Sequence, residues 1–281
     1  MSYIKSPLNY TGGKFKLLPQ LLELFPKDIN TFMDLFGGGG NVAVNVEANH
    51  VIYNDILEQV PEMLEEFKKL GATDCISLID SYIEEYSLTK ENKEGYLKLR
   101  QKYNSSKFKD PIMLYTLICY SFNNQIRFNA KQEYNMPFGK GRSSFNPALR
   151  EKFIAFVDRL QEIDIEFYSK DFRNIEVEIL SKNDFVYCDP PYLITTASYN
   201  ENGGWSEQAE RDLLAKLDEI SGVGVRFALS NVLESKGKSN DILKDWAKKY
   251  NVNYLSTAYS NCSYHKKDKT SKDIEVLITN Y

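Results

Sequence analysis

Asp189-Pro190-Pro191-Tyr192 follows directly on the apolar run Phe185-Val186-Tyr187-Cys188. Two consecutive prolines donate nothing to a strand ladder, so the tetrapeptide marks the exit of a strand into a rigid loop. The carboxylate of Asp189 and the carbonyl of Pro190 are then held outward at the carboxyl end of a sheet. Such a pair of acceptors suits an exocyclic amine with two N–H donors. Gripping both hydrogens favours the tetrahedral nitrogen that attacks an electrophile. Tyr192 offers a π-face to an extruded base. A second cluster is Asp34-Leu35-Phe36-Gly37-Gly38-Gly39-Gly40, with Asp55 closing the next apolar segment. A Gly-rich turn after a strand lets backbone approach a cofactor, and an acid at the end of the following strand accepts hydrogen bonds from a ribose diol. The dinucleotide spacing GxGxxG fails because Val42 stands at its third glycine. Gly12-Gly13-Lys14 fails as a phosphate loop because Phe15 follows it and Leu8 replaces the first glycine.

These residues need a scaffold, and the apolar pattern supplies one. Thr31–Phe36 reads as a buried strand, the glycines as its turn, and a helix is expected from Asn41; Val51–Tyr53 reads as a second strand. From Leu57 to about Phe122 the spacing is helical, as in Val60, Met63, Leu64 and Phe67. Gln125–Asn129 and Tyr134–Phe138 flank four polar-to-small residues and read as a hairpin or ordered loop. A helix beyond Asn146 leads to the strand Ile165–Tyr168. Strand-like runs recur at Phe185–Cys188, Val225–Leu229, Val252–Ser256 and Glu275–Ile278, with helical stretches near Ser206–Ile220 and Asn240–Tyr250. This alternation predicts an α/β fold with a parallel-type sheet covered on both faces, interrupted by a helical insertion.

Composition narrows the functional classes. The 281 residues carry 35 Lys+Arg against 39 Asp+Glu, a net charge of −4, with 42% hydrophobic and 26% charged residues. That profile belongs to a soluble, globular chain with a sizeable core. No apolar run is long enough to span a bilayer, and the N-terminal residues do not resemble a secretory signal. Cys75, Cys119, Cys188 and Cys262 form no CxxC, and the two histidines, His50 and His265, give little basis for metal chemistry. A reduced cytoplasmic protein without a metal is expected. Cys188 reads as packing. Two basic stretches interrupt the acidic balance. Arg127, Lys131, Lys140, Arg142, Arg150 and Lys152 face only Glu133 and Glu151, and between Asn261 and Lys272 four lysines face Asp268. Such stretches permit a polyanionic partner.

Asn9-Tyr10-Thr11-Gly12-Gly13-Lys14, the Asp34–Gly40 run, Asp55 and Asp189-Pro190-Pro191-Tyr192, taken together, resemble the Dam family of DNA adenine-N6 methyltransferases. Phe185–Thr195 and Ala228–Lys236 extend the match, which runs essentially end to end and looks closest to the phage-encoded branch. The resemblance implies a Rossmann-like S-adenosylmethionine-dependent methyltransferase sheet with helices on both faces. It also implies an inserted, mainly helical target-recognition domain with a β-hairpin. Residues 1–55 and 151–281 would form the catalytic, cofactor-binding domain and 56–150 the DNA-binding one. Asp189, Pro190 and Tyr192 would be catalytic. Tyr10, Lys14, Phe36, Gly37, Gly39, Asp55, Asp171, Phe172 and Asp189 would hold S-adenosylmethionine. Arg127 matches an arginine that reads guanine, a bidentate task for its fork, and Pro137 another base-edge contact. Asn9, Gln125, Lys140 and Arg142 complete the DNA-facing set. Asn9 stands where family members often carry lysine, and Gln125 where they carry an apolar residue.

The activity this implies is methyl transfer to a flipped adenine in double-stranded DNA, in GATC or a related short site, as in a restriction-modification system. The enzyme is expected to be a monomer in a bacterial cytoplasm, whether bacterial or phage-encoded. An RNA or protein amine methyltransferase and a catalytically silent DNA-binding relative are the alternatives. A nicotinamide oxidoreductase is disfavoured by the failed dinucleotide spacing.

Overall fold

The computed structural model describes residues 3–176, 180–195, 204–255 and 273–281. The basic stretch at 261–272, with Cys262 and His265, and the last residue of the expected Val252–Ser256 strand lie outside the described residues. The chain divides into two compact units. One comprises Met1–Gly13, Gly38–Asn45 and Leu57–Ser169, the other Lys14–Gly37, Val46–Ile56 and Lys170–Tyr281. These cuts leave Tyr10, Gly39 and the segment 151–169 in the same unit as the insertion helices.

The second unit is built on a sheet. A 3-10 turn, Lys14–Leu17, leads into helix α1 (Leu18–Leu24) and strand β1 (Thr31–Asp34). Strands β2 (His50–Asn54), β1, β4 (Phe185–Cys188) and β5 (Arg226–Ser235) lie side by side and parallel. Beyond β5 the direction reverses. Strand β8 (Ile274–Thr279) pairs antiparallel with β5, and β7 (Asn251–Tyr254) antiparallel with β8; the short β6 (Lys238–Ser239) folds back on β5. The expected parallel-type sheet is therefore mixed. The run Val276-Leu277-Ile278 is buried throughout, so it carries the continuous apolar signature of a two-face-buried strand, which says nothing about direction. Alternation along the strands sorts the two faces. Met33, Val186, Cys188, Phe227 and Leu229 join the core formed with helices α6 (Glu207–Gly222) and α7 (Asp241–Ala247). Phe32, Phe185 and Tyr187 instead meet Phe25, just past α1, with Phe25 4.8 Å from Phe185.

The first unit is helical. It contains α2 (Gln59–Glu85), α3 (Lys93–Ser105), α4 (Pro111–Tyr120) and α5 (Pro147–Glu162), followed by strand β3 (Ile165–Tyr168). Asn92, Asp110 and Asn146 cap the last three helices by accepting backbone N–H bonds. Helix α4 is buried from Ile112 to Tyr120. Around it Phe67, Tyr115 and Phe153 pack with ring centroids 4.9 to 5.1 Å apart.

Two local expectations are corrected. No helix starts at Asn41; residues 41–46 run as turns. Asn41 and Asn45 accept backbone N–H bonds from Ser6 and Ile4 at 2.9 and 2.8 Å, and the Asn45 amide donates to the Ile4 carbonyl. Side chains that tie down a neighbouring segment compete with helix formation. The segment 125–138, read as a hairpin or an ordered loop, is an ordered loop with isolated antiparallel bridges at Phe128–Tyr134 and Ser121–Phe138, not the full β-hairpin the resemblance implied. Around the first bridge the Asn129 and Asn135 N–H groups donate to the carbonyls of Glu133 and Arg127 at 2.9 and 3.1 Å, and helix α3 holds the rest of the backbone. Asn104 donates to the Tyr134 carbonyl and accepts from its N–H at 3.0 and 2.9 Å, while Tyr96 and Arg100 donate to the Met136 carbonyl at 2.7 and 2.9 Å.

Candidate active site

Strand β4 is wholly buried and ends at Cys188; Asp189 follows, and Pro190 cannot extend the ladder. Tyr187 fixes the strand end through a 2.8 Å hydrogen bond between its hydroxyl and that of Ser230 on β5. The Cys188 thiol is buried in the core and burial pushes it well above its usual range, so it is no nucleophile. Both oxygens of Asp189 are engaged. Lys14 Nζ lies 2.9 Å from Oδ2, and the Tyr192 hydroxyl donates to Oδ1 at 2.9 Å. A second acid joins them from β8. Glu275 Oε1 accepts from Tyr192 at 3.3 Å and lies 3.5 Å from Lys14 Nζ. The Lys14 ammonium also stands 5.1 Å from the Tyr192 ring centre. Side-chain exposure is 6% for Lys14, 18% for Asp189 and 14% for Glu275. Loss of water therefore raises both carboxyl groups above their usual range, while Lys14 and Tyr192 pull them back. The Tyr192 phenol is pushed well above its usual range by burial and the two acids.

The same unit holds the remaining acidic and apolar candidates. Gly37 donates its N–H to the Asn54 carbonyl at 2.8 Å, and a Cβ there would fall 2.1 Å from the Tyr53 ring. This glycine is demanded by packing as well as by any ligand. Asp55, 7% exposed, closes β2. Beside it the Asn54 side chain donates to the carbonyls of Leu35 and Lys170, both at 3.0 Å, and accepts from the Lys170 N–H at 2.8 Å. One amide thus ties together the exits of β1 and β2 and the segment leading to Asp171. Phe36 and Phe172 meet at 5.6 Å, and Trp205 packs on both at 5.7 and 5.6 Å. Asp171 accepts the Arg173 N–H as the cap of a short turn and pairs with the Arg173 guanidinium at 2.9 Å.

In the helical unit, Tyr10 lies against the glycine turn. Gly38, at φ +49°, would bring a Cβ to 3.0 Å of the Tyr10 ring, and Gly39 to 3.3 Å of Tyr10 Cβ. Asn9 donates to the Asn123 carbonyl at 2.7 Å, which joins it to the 121–138 loop. Arg127, Pro137, Lys140 and Arg142 are exposed and Gln125 half-buried. Arg127 Nε donates to Asn135 Oδ1 at 2.9 Å and Nη2 to the Asn135 carbonyl at 3.3 Å. The Arg142 guanidinium lies 5.3 Å from the ring of exposed Phe122.

The family profile of D12 class N6 adenine-specific DNA methyltransferases matches residues 10–269. The chain belongs to this family. It is 52% identical over its full length to the type II methyltransferase M.FokI of Planomicrobium okeanokoites, and 46% identical over 99% of its length to the modification methylase StsI of Streptococcus sanguinis. It spans 43% of the length of each of those proteins. The DNA N-6-adenine-methyltransferase of Escherichia phage P1 is 25% identical over 81% of the chain. The expected proximity to the phage-encoded branch is thereby corrected: the type II methyltransferase M.FokI shares about twice the identity of the phage protein.

Reading the D12 chain from sequence alone missed Glu275, Asn54 and Trp205. Glu275 was visible only as a polar residue inside the last apolar strand, and Asn54 only as the neighbour of Asp55. Trp205 had no local signal at all. No helix among the described residues of this D12 protein is long and apolar enough to cross a membrane.

Proposed function

We propose that this chain is an S-adenosylmethionine-dependent, site-specific DNA adenine-N6 methyltransferase of a restriction-modification system. The observation that carries the reading is the pre-organised acid at the exit of β4, where Lys14 and Tyr192 each hold one oxygen of Asp189 at 2.9 Å. Asp189 and the Pro190 carbonyl accept the two N–H groups of a flipped adenine, stabilising the positive charge that develops on its nitrogen. Fixing the carboxylate in advance removes a reorientation from the reacting step. The ring of Tyr192 flanks the base.

S-adenosylmethionine supplies the electrophilic methyl group. The residues present fit it: Asp55 is a buried acid at a strand end, suited to a ribose diol, and Phe36, Phe172 and Trp205 form an apolar aromatic wall suited to a purine. Two carboxylates facing one ammonium leave the cluster net negative, which favours a sulfonium cation over a neutral thioether. Tyr10, Lys14, Gly37, Gly39 and Asp171 complete the proposed cofactor set, on the strength of the resemblance. The parallel half of the sheet, with its Gly-rich turn after β1, supports a Rossmann-like cofactor domain.

Asn9, Gln125, Arg127, Pro137, Lys140 and Arg142 form the proposed DNA-reading set, with Arg127 reading guanine through its outer N–H groups. Their support is that Arg127 and Pro137 are exposed on a loop anchored by Tyr96, Arg100 and Asn104, with half-buried Gln125 beside them, exposed Lys140 and Arg142 just beyond, and Asn9 tied to the loop through Asn123. The target is a short duplex site, GATC or a relative of it. The restriction-modification role rests on relatives named type II methyltransferase and modification methylase, and it implies action in a bacterial cytoplasm. Labelled S-adenosylmethionine with duplex DNA, followed by mapping of modified bases, tests the reading: N6-methyladenine at one short site is expected, and label in RNA or protein alone defeats it. Asp189→Ala, folded as judged by circular dichroism, should lose roughly 10²–10³-fold or more in kcat.

A further inference from the structure

Glu275 is a partly buried acid with no task in the transfer just described, yet it shares both donors that hold Asp189. We infer that Glu275 is a positioning residue of this centre: it is the second acceptor onto which Lys14 and Tyr192 shift their hydrogen bonds when a substrate amine engages Asp189. The inference rests on the proposed methyl transfer to adenine.

Both oxygens of Asp189 already carry a donor, Lys14 at 2.9 Å and the Tyr192 hydroxyl at 2.9 Å. An incoming amine must compete with them, and in a site this poorly hydrated a displaced ammonium or hydroxyl left without an acceptor is costly. Glu275 Oε1 lies 3.5 Å from the same ammonium and 3.3 Å from the same hydroxyl, a few tenths of an ångström farther than Asp189. A small movement of the long Lys14 side chain and of the Tyr192 hydroxyl transfers both bonds, and the buried charge keeps a partner throughout. The acceptor itself is fixed. Glu275 sits in the ladder of β8 opposite Val232, its carbonyl accepts the Leu255 N–H at 2.9 Å, and the next residues, Val276 to Ile278, are fully buried. The backbone that carries the second acid is thus held while the longer Lys14 side chain and the Tyr192 hydroxyl reach it.

The charged and titratable groups facing the pair are Lys14 from the N-terminal turn, Tyr192 from the loop, and Tyr187 of β4, whose phenol is raised by burial and then by Asp189, Asp34 of β1 and Glu275. Among them Lys14 is the cation, so Asp189 and Glu275 divide one countercharge. Neutralising Glu275 leaves that countercharge to Asp189 and makes its carboxylate easier to ionise.

The test is steady-state methylation of duplex DNA by wild type, Glu275→Gln and Glu275→Asp under saturating labelled S-adenosylmethionine, with melting curves for each. Glu275→Gln should lower kcat about 10- to 100-fold with little change in KM for DNA, and should move the acid limb of the kcat–pH profile to lower pH. Glu275→Asp keeps the charge but shortens the reach, so its kcat should fall with the limb in place, and it serves if the Gln variant does not fold. Wild-type kcat in either variant, or an unmoved limb in Glu275→Gln, overturns the inference while leaving the methyltransferase reading intact. A wild-type protein that methylates no adenine in any duplex overturns both.

Discussion

The acid cluster around Asp189 and the loop carrying Arg127 are both polar, but they are built on opposite terms. Lys14 is buried and Asp189, Tyr192 and Glu275 are half-buried beside it, and each of the four touches at least two of the others. Arg127 is exposed and, among the described residues, is bonded by Asn135 through two of its nitrogens. Rigidity in the second region lies one layer back, where Asn104, Tyr96 and Arg100 clamp the backbone of Tyr134 and Met136. On the proposed reading, the difference teaches that a group gripping a reacting amine is set before the amine arrives, whereas a group reading a base edge stands exposed on a backbone held from behind.

The sharpest way to break this contrast is Lys14→Met. It strands two buried carboxylates, so beyond a loss of activity it should destabilise the protein by about 3–5 kcal/mol, read as a lowered urea midpoint. A midpoint unchanged from wild type would mean that the cluster is far wetter than its exposure indicates. Gly37→Ala should cost about 1–3 kcal/mol through overpacking against Tyr53, and the loss should persist without cofactor. Arg127→Ala lies at the other pole: melting temperature unchanged, but discrimination between the proper site and one with its guanine replaced reduced by about 1–3 kcal/mol. Undiminished discrimination in competition assays would move base reading elsewhere.

The smallest expected effect is a pH dependence of stability. Asp189 and Glu275 both titrate above their unfolded values, so the folded state binds more protons and their contribution declines as pH rises from about 4 towards neutrality. Glu275→Gln removes part of that decline. Its stability relative to wild type should therefore be greater at pH 7 than at pH 4, and parallel stability curves would refute the coupling.

Much of the scaffold was readable because apolar spacing is a local property. The strands β1, β2, β3 and β4 and the helices α2 to α7 all appear where the pattern placed them, and the Asp189 tetrapeptide leaves its strand where two prolines require it. The turn at 41–46 was read as a helix start, and the form of 125–138 was left between a hairpin and an ordered loop, for one reason: side chains bond backbone distant in sequence, Asn45 that of Ile4 and Asn104 that of Tyr134. Composition cannot announce such partners. The same holds for Asn54, which looks like a strand-end residue until Leu35 and Lys170 are seen against it.

By itself the amino-acid order determined that an acid followed by two prolines would stand at a strand exit, that a glycine turn would follow another strand, and that the chain is a D12-type one. Those are short-range matters, decided by ring constraint, missing side chains and period. Tertiary structure alone decided that β8 enters the sheet antiparallel beside β5 and so carries Glu275 to Asp189, and that Lys14 serves two acids at once. Strand direction and the sharing of a buried charge depend on which segments meet, and that is settled by burial summed over the whole chain.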